Sequence, residues 1–384
     1  YSSAASDVYK RQVGTTRHDM PGDAKLERFA SEMKSIHSPR RRAMLILAVA
    51  GLAATTAACG STSPTSAAAS NKPVPLVVYS AQGYDQAEVT AFQKATGIPT
   101  ELTDSSTGPL LEKVSAEAQN PHWGLLWIDG DEPFAALDQQ HALVTNFEPK
   151  VDYNSLGQSV NPSDHSYYPT GVTLAGAAVY EPSQVPNPPT SWQELLQPQW
   201  KGAVGMNNPS ISGPTYPFVA GMYNYLGGVN QGEAYFTALK SNGLQVFTTN
   251  KHTLAAMERG QVKLAIIQSS AGIGASLNNP SIRVAYLSPE TLLPSVIGID
   301  AKAPKAEIAE AEKFVNFVLS PQGQQIMQSG DPTGDSNYYP VVSGVNPKTG
   351  VPPLSGITTQ TVDPYKYGPL ESSINSWFTA NIVS

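Results

Sequence analysis

Short hydroxyl residues gather beside glycine at three places in this chain, and their spacing is the first sign of chemistry. The segments are Ser80-Ala81-Gln82-Gly83-Tyr84, Ser105-Ser106-Thr107-Gly108 and Ser210-Ile211-Ser212-Gly213-Pro214-Thr215. The first follows an apolar strand-like run, and the other two open helix-like runs. A helix start offers free backbone N–H groups and the positive end of the dipole, which together favour an anion. Small hydroxyls add donors without blocking approach. Ser and Thr are also the usual helix N-caps, so each segment alone serves capping equally well. From these segments Ser80, Gln82, Tyr84, Ser106, Thr107, Gly108, Ser212 and Thr215 are candidate ligand contacts.

Asp129-Gly130-Asp131-Glu132 points to the opposite chemistry. Carboxylates after an apolar run suit an amine or a metal ion, or complement the dipole of the helix they open. An anion that also carries an amine reconciles Asp129 with the hydroxyl segments. Lys251, in Asn250-Lys251-His252-Thr253, offers a cation to an anion. Trp127 either stacks on a ligand or packs in the core. Gln268 and Ser269 follow another apolar run, and Tyr338-Tyr339 form an adjacent pair that packs or lines a cleft. No catalytic residues are expected. The sequence has no Gly-x-Ser-x-Gly elbow, no His-Glu-x-x-His and no Walker phosphate loop. His122, His141, His165 and His252 lie far apart. No cofactor and no resident metal are expected.

The elements that must position these residues alternate. Strands at 76–79, 100–103 and 125–128 alternate with helices at 87–96, from 107 onward and at 133–140, a pattern that implies a parallel sheet with helices on its faces. An apolar strand over 172–180 reads as a crossover into a second lobe. That lobe has strands at 203–205, 244–247, 264–268 and 285–287, and helices at 215–225, 232–240 and 253–259. A strand at 295–299 returns to the first lobe. Helices at 306–319, 321–328 and 371–378 follow, the first with Ile308, Ala311, Val315 and Val318 on one stripe.

Charge and composition set further bounds. The chain has 24 basic and 31 acidic residues, a net charge of −7, which argues against nucleic acid as partner. With 31 Gly, 32 Pro, 5 Trp, 17 Tyr and 10 Phe it is neither fibrous nor devoid of core-forming residues. One cysteine excludes a disulfide framework. Residues 33–58 read as a signal peptide, with Arg40-Arg41-Arg42 before an apolar run too short to span a bilayer. The run ends Thr56-Ala57-Ala58-Cys59, which resembles a bacterial lipobox and marks Cys59 for lipidation. Residues 59–73 form a flexible tether. Residues 1–32 resemble translated adaptor sequence and are set apart from the fold.

The segments Tyr79-Ser80-Ala81-Gln82, Phe92-Gln93-Lys94-Ala95-Thr96-Gly97-Ile98, Ser191-Trp192-Gln193-Glu194-Leu195-Leu196 with Trp200-Lys201-Gly202, and Tyr339-Pro340-Val341-Val342-Ser343-Gly344-Val345 carry a family resemblance. They resemble the type II solute-binding proteins of ABC transporters, in the group that binds ferric ion, thiamine and 2-aminoethylphosphonate. The resemblance spans 75–347. It implies an α/β, two-lobe periplasmic-binding-protein type II fold with crossing hinge strands and a ligand cleft between lobes. Lobe 1 is expected at 74–170 and 295–347, and lobe 2 at 171–294 and 348–384. It implies a protein exported and lipid-anchored to the outer face of the cytoplasmic membrane. Acting as a monomer, it would hand a small polar solute, such as a phosphonate or phosphate ester, to a permease driven by a cytoplasmic ATPase. Ferric ion is the alternative cargo. The family's iron-binding tyrosine pair would fall at Gln268-Ser269-Ser270 and its histidine at Gly83, with Asp129 matching its glutamate, so no iron ligands carry over. An exported hydrolase or a receptor without transport are the readings from other classes.

Overall fold

The structure is a computed structural model of the 384-residue chain, and it describes residues 73–331, 333 and 336–383. The leader, the signal peptide, Cys59 and most of the tether lie outside the described residues.

Two mixed sheets organise the described chain. The first is built around β1 (Leu76–Ser80), β2 (Thr100–Asp104) and β3 (Leu125–Asp129), which run parallel with β1 in the middle. Helices α1 (Asp85–Thr96), α2 (Thr107–Ala116) and α3 (Glu132–Gln139) follow these strands in turn. Val89 and Phe92 bury the inner face of α1, and Gly97, at φ 72°, ends it in the left-handed conformation that glycine adopts without strain. The short helix α4 (Ser155–Ser159) leads to β4 (Tyr168–Leu174) and then β5 (Ala177–Tyr180).

The second sheet has the order β7-β6-β8-β5-β9, from β6 (Val204–Asn207), β7 (Gln245–Phe247), β8 (Leu264–Ile267) and β9 (Arg283–Ala285). Its helices are α5 (Thr215–Leu226), α6 (Val229–Ser241), α7 (Asn250–Glu258) and α8 (Ser269–Asn278). The ten-residue β10 (Glu290–Ile299) then pairs antiparallel with both β3 and β4 in the first sheet. Helices α9 (Lys305–Val318) and α10 (Pro321–Ser329) cover that sheet, with Phe314 edge-on to Phe92 at 5.0 Å. The tail comprises β11 (Thr359–Gln360), α11 (Pro364–Tyr367) and α12 (Glu371–Phe378). It buries Ile374 and Phe378 in the core of the second sheet, where Phe378 meets Phe236 at 5.2 Å.

The single strand expected over 172–180 is two strands. Residues to Leu174 pair with β10 in the first sheet, and residues from Ala177 pair with β8 and β9 in the second. Gly176 sits at the crossing, where a Cβ would lie 2.6 Å from the Phe218 ring. The strand expected at 285–287 ends at Ala285, and the one expected from 295 begins at Glu290. Helix α8 has no counterpart in the hydrophobic pattern. Its Gly272 and Gly274 give it no apolar stripe, and Gly272 packs where a Cβ would come within 2.7 Å of Val179.

Candidate functional site

The C-terminal ends of strands from both sheets converge on one cavity of about 210 Å³. From the first sheet it takes Ala81 and Gly83 beyond β1, Ser106 and Thr107 where α2 begins, Asp129 at the end of β3, and Tyr338. From the second it takes Ile211 to Pro214 before α5, Thr249 to Lys251 at the start of α7, and Gln268 before α8. The starts of four helices therefore surround one small space. In none of the four does the N-cap side chain accept a capping hydrogen bond from a backbone N–H of its own helix. Ordinary capping, the alternative use for these hydroxyls, is not what they do here. Four positive helix ends together make the space electropositive.

Lys251 adds a full positive charge. It is exposed and has no ion pair or hydrogen bond among the described residues. Asp129 supplies the carboxylate of the wall and is 7% exposed. Its Oδ1 accepts from Gln82 Nε2 at 3.0 Å and its Oδ2 from the Tyr338 hydroxyl at 2.8 Å. Burial pushes its pKa up to about 6, although both hydrogen bonds pull the other way. Near neutral pH the wall thus presents a held carboxylate facing a cation and helix ends.

Asn207, at the end of β6, is a positioning residue that sequence reasoning did not single out. Its amide donates to Ser212 Oγ at 3.2 Å and to Asn250 Oδ1 at 2.7 Å, and its carbonyl accepts from Thr253. One buried amide thereby sets the 208–214 loop against α7. Its signal was its place: a polar residue ending an otherwise apolar strand just before Ser212.

Of the residues singled out from sequence, Ser106, Thr107, Asp129, Ser212, Lys251, Gln268 and Tyr338 line the cavity. Gln82 stands behind the wall and holds Asp129. Ser80 is fully buried and its Oγ accepts from the Gln82 N–H at 3.1 Å, fixing the turn after β1. Tyr84 is buried against Trp127 and Tyr338, its hydroxyl 3.3 Å from Ser295 Oγ. Gly108 makes a backbone contact between the two halves of the molecule.

Trp127, Tyr339, Ser269 and Thr215, also expected at the ligand, lie outside the cavity lining too. Trp127 is 0% exposed: its indole N–H reaches Thr170 Oγ1 and Ser295 Oγ, and Tyr84 and Phe314 cover the ring. Tyr339 diverges from Tyr338 and donates to the Pro352 carbonyl at 2.7 Å, because successive residues of an extended segment point to opposite sides. Ser269 bonds Thr173 Oγ1 at 2.8 Å and accepts from the Leu174 N–H, which ties α8 to the crossing strand β4. Thr215 is buried one residue beyond the wall, its N–H on Ser212 O.

The bacterial extracellular solute-binding protein family model matches residues 130–355. A Salmonella paratyphi A protein provisionally named a 2-aminoethylphosphonate-binding periplasmic protein is 23% identical over 262 residues, covering 65% of this chain and 75% of its own. Among solved structures, iron-bound HitA from Pseudomonas aeruginosa superposes with a TM-score of 0.69 at 22% identity, covering 79% of this chain and 99% of its own. AfuA from Actinobacillus pleuropneumoniae, with fructose-6-phosphate bound, gives 0.70 at 16% identity, covering 81% and 99%. The fold of this chain is that of the type II periplasmic binding proteins.

Proposed function

The chain belongs to the bacterial extracellular solute-binding proteins, and we propose that it is the substrate-binding component of an ABC importer whose cargo is a small organic anion bearing an amine, of the aminophosphonate class. The observation that carries this reading is the pairing of four helix starts and Lys251 with Asp129 around about 210 Å³. Helix starts and a lysine attract phosphonate oxygens. Asp129, the opposing carboxylate, takes an ammonium. The space is below the ~300 Å³ at which drug-sized ligand sites begin, so the cargo is small. The name of the Salmonella relative agrees with this class.

Capture needs no covalent step. A ligand that touches both halves favours the shut state by its differential contacts alone. The signal at 33–58 would direct export and be removed, and the lipid on Cys59 with the tether at 59–73 would then hold the protein at the outer face of the membrane. From there it delivers its cargo as a monomer to a permease with a cytoplasmic ATPase. The lobes would divide near the boundaries read from sequence, 74–170 with 295–347 and 171–294 with 348–384, moved to Ala175-Gly176 and Glu290 where the strands change sheet.

Ferric ion is the weaker cargo on the chemistry of the donors. A hard trivalent ion calls for several anionic oxygens. Among the described residues lining the cavity, Asp129 and Tyr338 alone offer such oxygens, while Tyr339 is turned to Pro352. Gly83 leaves no room for a larger residue, since a Cβ there would lie 2.4 Å from Asp331 Oδ2.

Calorimetric titration with 2-aminoethylphosphonate, methylphosphonate, phosphoglycerate, thiamine and ferric citrate tests the proposal. Tight binding of 2-aminoethylphosphonate, with methylphosphonate much weaker, is the expected result. Binding of ferric citrate in preference to every phosphonate overturns it.

A further inference from the structure

The two halves of the molecule touch through backbone at one edge of the cavity. The Gly108 N–H, in the first turn of α2, donates to the carbonyl of Ile211 at 3.3 Å. A Cβ on Gly108 would stand 2.2 Å from Ser210 O and 3.1 Å from its carbonyl carbon. Across the same contact, a Cβ on Gly213 would stand 2.2 Å from Thr107 Oγ1 and 2.8 Å from Thr107 Cβ. Real atoms do not approach so closely, and the obstacles are main chain or the base of a side chain. Each half thus contributes one glycine to an approach that no other residue permits. Neither glycine has a positive φ. Backbone conformation does not demand glycine there, so contact does.

This junction is also a partition. On one side lies the ligand cavity, walled by Thr107, Ile211, Ser212 and Gly213. On the other lies a groove of about 1120 Å³ between α2, α3 and α12, bordered by Thr107, Gly108, Ser210 and Gly213. We propose that Gly108 and Gly213 form a latch that licenses closure of the lobes and confines the ligand to the smaller space. The inference rests on the reading of this cavity as the solute site.

Gly108 lies inside a helix at an ordinary helical φ, where alanine is the better helix former. Gly108→Ala therefore separates two effects that a damaged fold would merge. Its helix content and cooperative melt without ligand stay those of a folded protein, while its affinity for 2-aminoethylphosphonate falls at least tenfold. Small-angle scattering at saturating ligand shows the wild type compact and the variant more extended. Gly213→Ala gives the same loss from the other side. Unchanged affinity and compaction in both variants overturn the latch. If no phosphonate binds the wild type, the proposed function fails, and hydrogen exchange in the ligand-free protein judges the latch alone. The Gly108 amide is then protected in the wild type and exposed by Gly213→Ala. Equal exchange in the two proteins overturns it.

Discussion

The hydroxyl of Tyr338 donates to Oδ2 of Asp129 at 2.8 Å, joining residues 209 positions apart on the wall of the cavity. With Gln82 on the other oxygen, the bond aims the carboxylate without neutralising it. A held, ionised Asp129 repels a plain anion and attracts an ammonium. Asp129→Asn is therefore expected to weaken 2-aminoethylphosphonate by about 10–100-fold, the worth of a charge-assisted hydrogen bond. The same variant binds methylphosphonate more tightly than the wild type does. Because the Asp129 pKa is about 6, the advantage of the wild type for the amine fades as pH falls through that value. Titrations of both proteins from pH 5 to 8 check this, ligand ionisation being common to the two. Tighter binding of 2-aminoethylphosphonate by the variant would remove the amine from the argument.

Stability on the alkaline side is limited by Glu88. Neither of its carboxylate oxygens has a hydrogen-bond partner among the described residues, and the residue is 0% exposed in α1. Burial alone raises its pKa well above the ordinary carboxylate value. The folded protein then keeps a proton that the unfolded chain releases near pH 4 to 5. With more protons bound in the native state, stability falls as pH rises from there until the folded pKa is passed. Glu88→Gln keeps the shape and removes the titration. The variant matches the wild type near pH 4 and gains more than about 1 kcal/mol by pH 7.5, since a tenfold difference in proton affinity between folded and unfolded chain is worth ~1.4 kcal/mol. Thermal melts across that range decide it, and a gain independent of pH would show that Glu88 does not titrate as described.

How much of this was legible beforehand follows from what each feature depends on. The first three strand and helix pairs were readable because period and punctuation agree, as in β1, α1 and the stop at Gly97. The break at Ala175-Gly176 was not. Both flanking strands are buried and apolar, and their separation lies in which sheet each one pairs with. Polar turns after strands point to Ser106, Thr107, Ser212 and Asp129, and all four line the cavity. Depth was invisible: Trp127 and Asp129 are two residues apart on the same face of β3, one within the core and one at its rim. Contacts between the halves, such as Gly108 with Ile211, exist only in three dimensions.

Trp127 gives that distinction a test. Its indole N–H donates to Thr170 Oγ1 at 3.2 Å and Ser295 Oγ at 3.1 Å, and those hydroxyls also bond each other at 3.0 Å. Trp127→Phe deletes the donor and leaves a cavity, at a cost of roughly 1–3 kcal/mol. Affinity for 2-aminoethylphosphonate stays within about twofold, since the ring does not reach the ligand. Paired melts and titrations separate the two quantities. A tenfold loss of affinity at unchanged stability would put the indole back on the ligand.

Lys251 should behave in the reverse way. It is exposed and unpartnered among the described residues, so the folded state spends nothing to hold it. The charge is available to an incoming anion and is not consumed by an internal pair. Lys251→Met keeps most of the side-chain stem and removes the charge. Its melting temperature is expected to stay within about a degree of wild type, because surface changes of this kind fall within ±0.5 kcal/mol. Phosphonate affinity drops by about 10–100-fold, the range for a charged hydrogen bond. The salt dependence of binding flattens too, because Lys251 is the exposed part of the attraction and the part screened by ions. Helix ends buried in the wall retain their share at high salt. A variant whose affinity and salt slope both match the wild type would mean that the helix starts alone carry the anion.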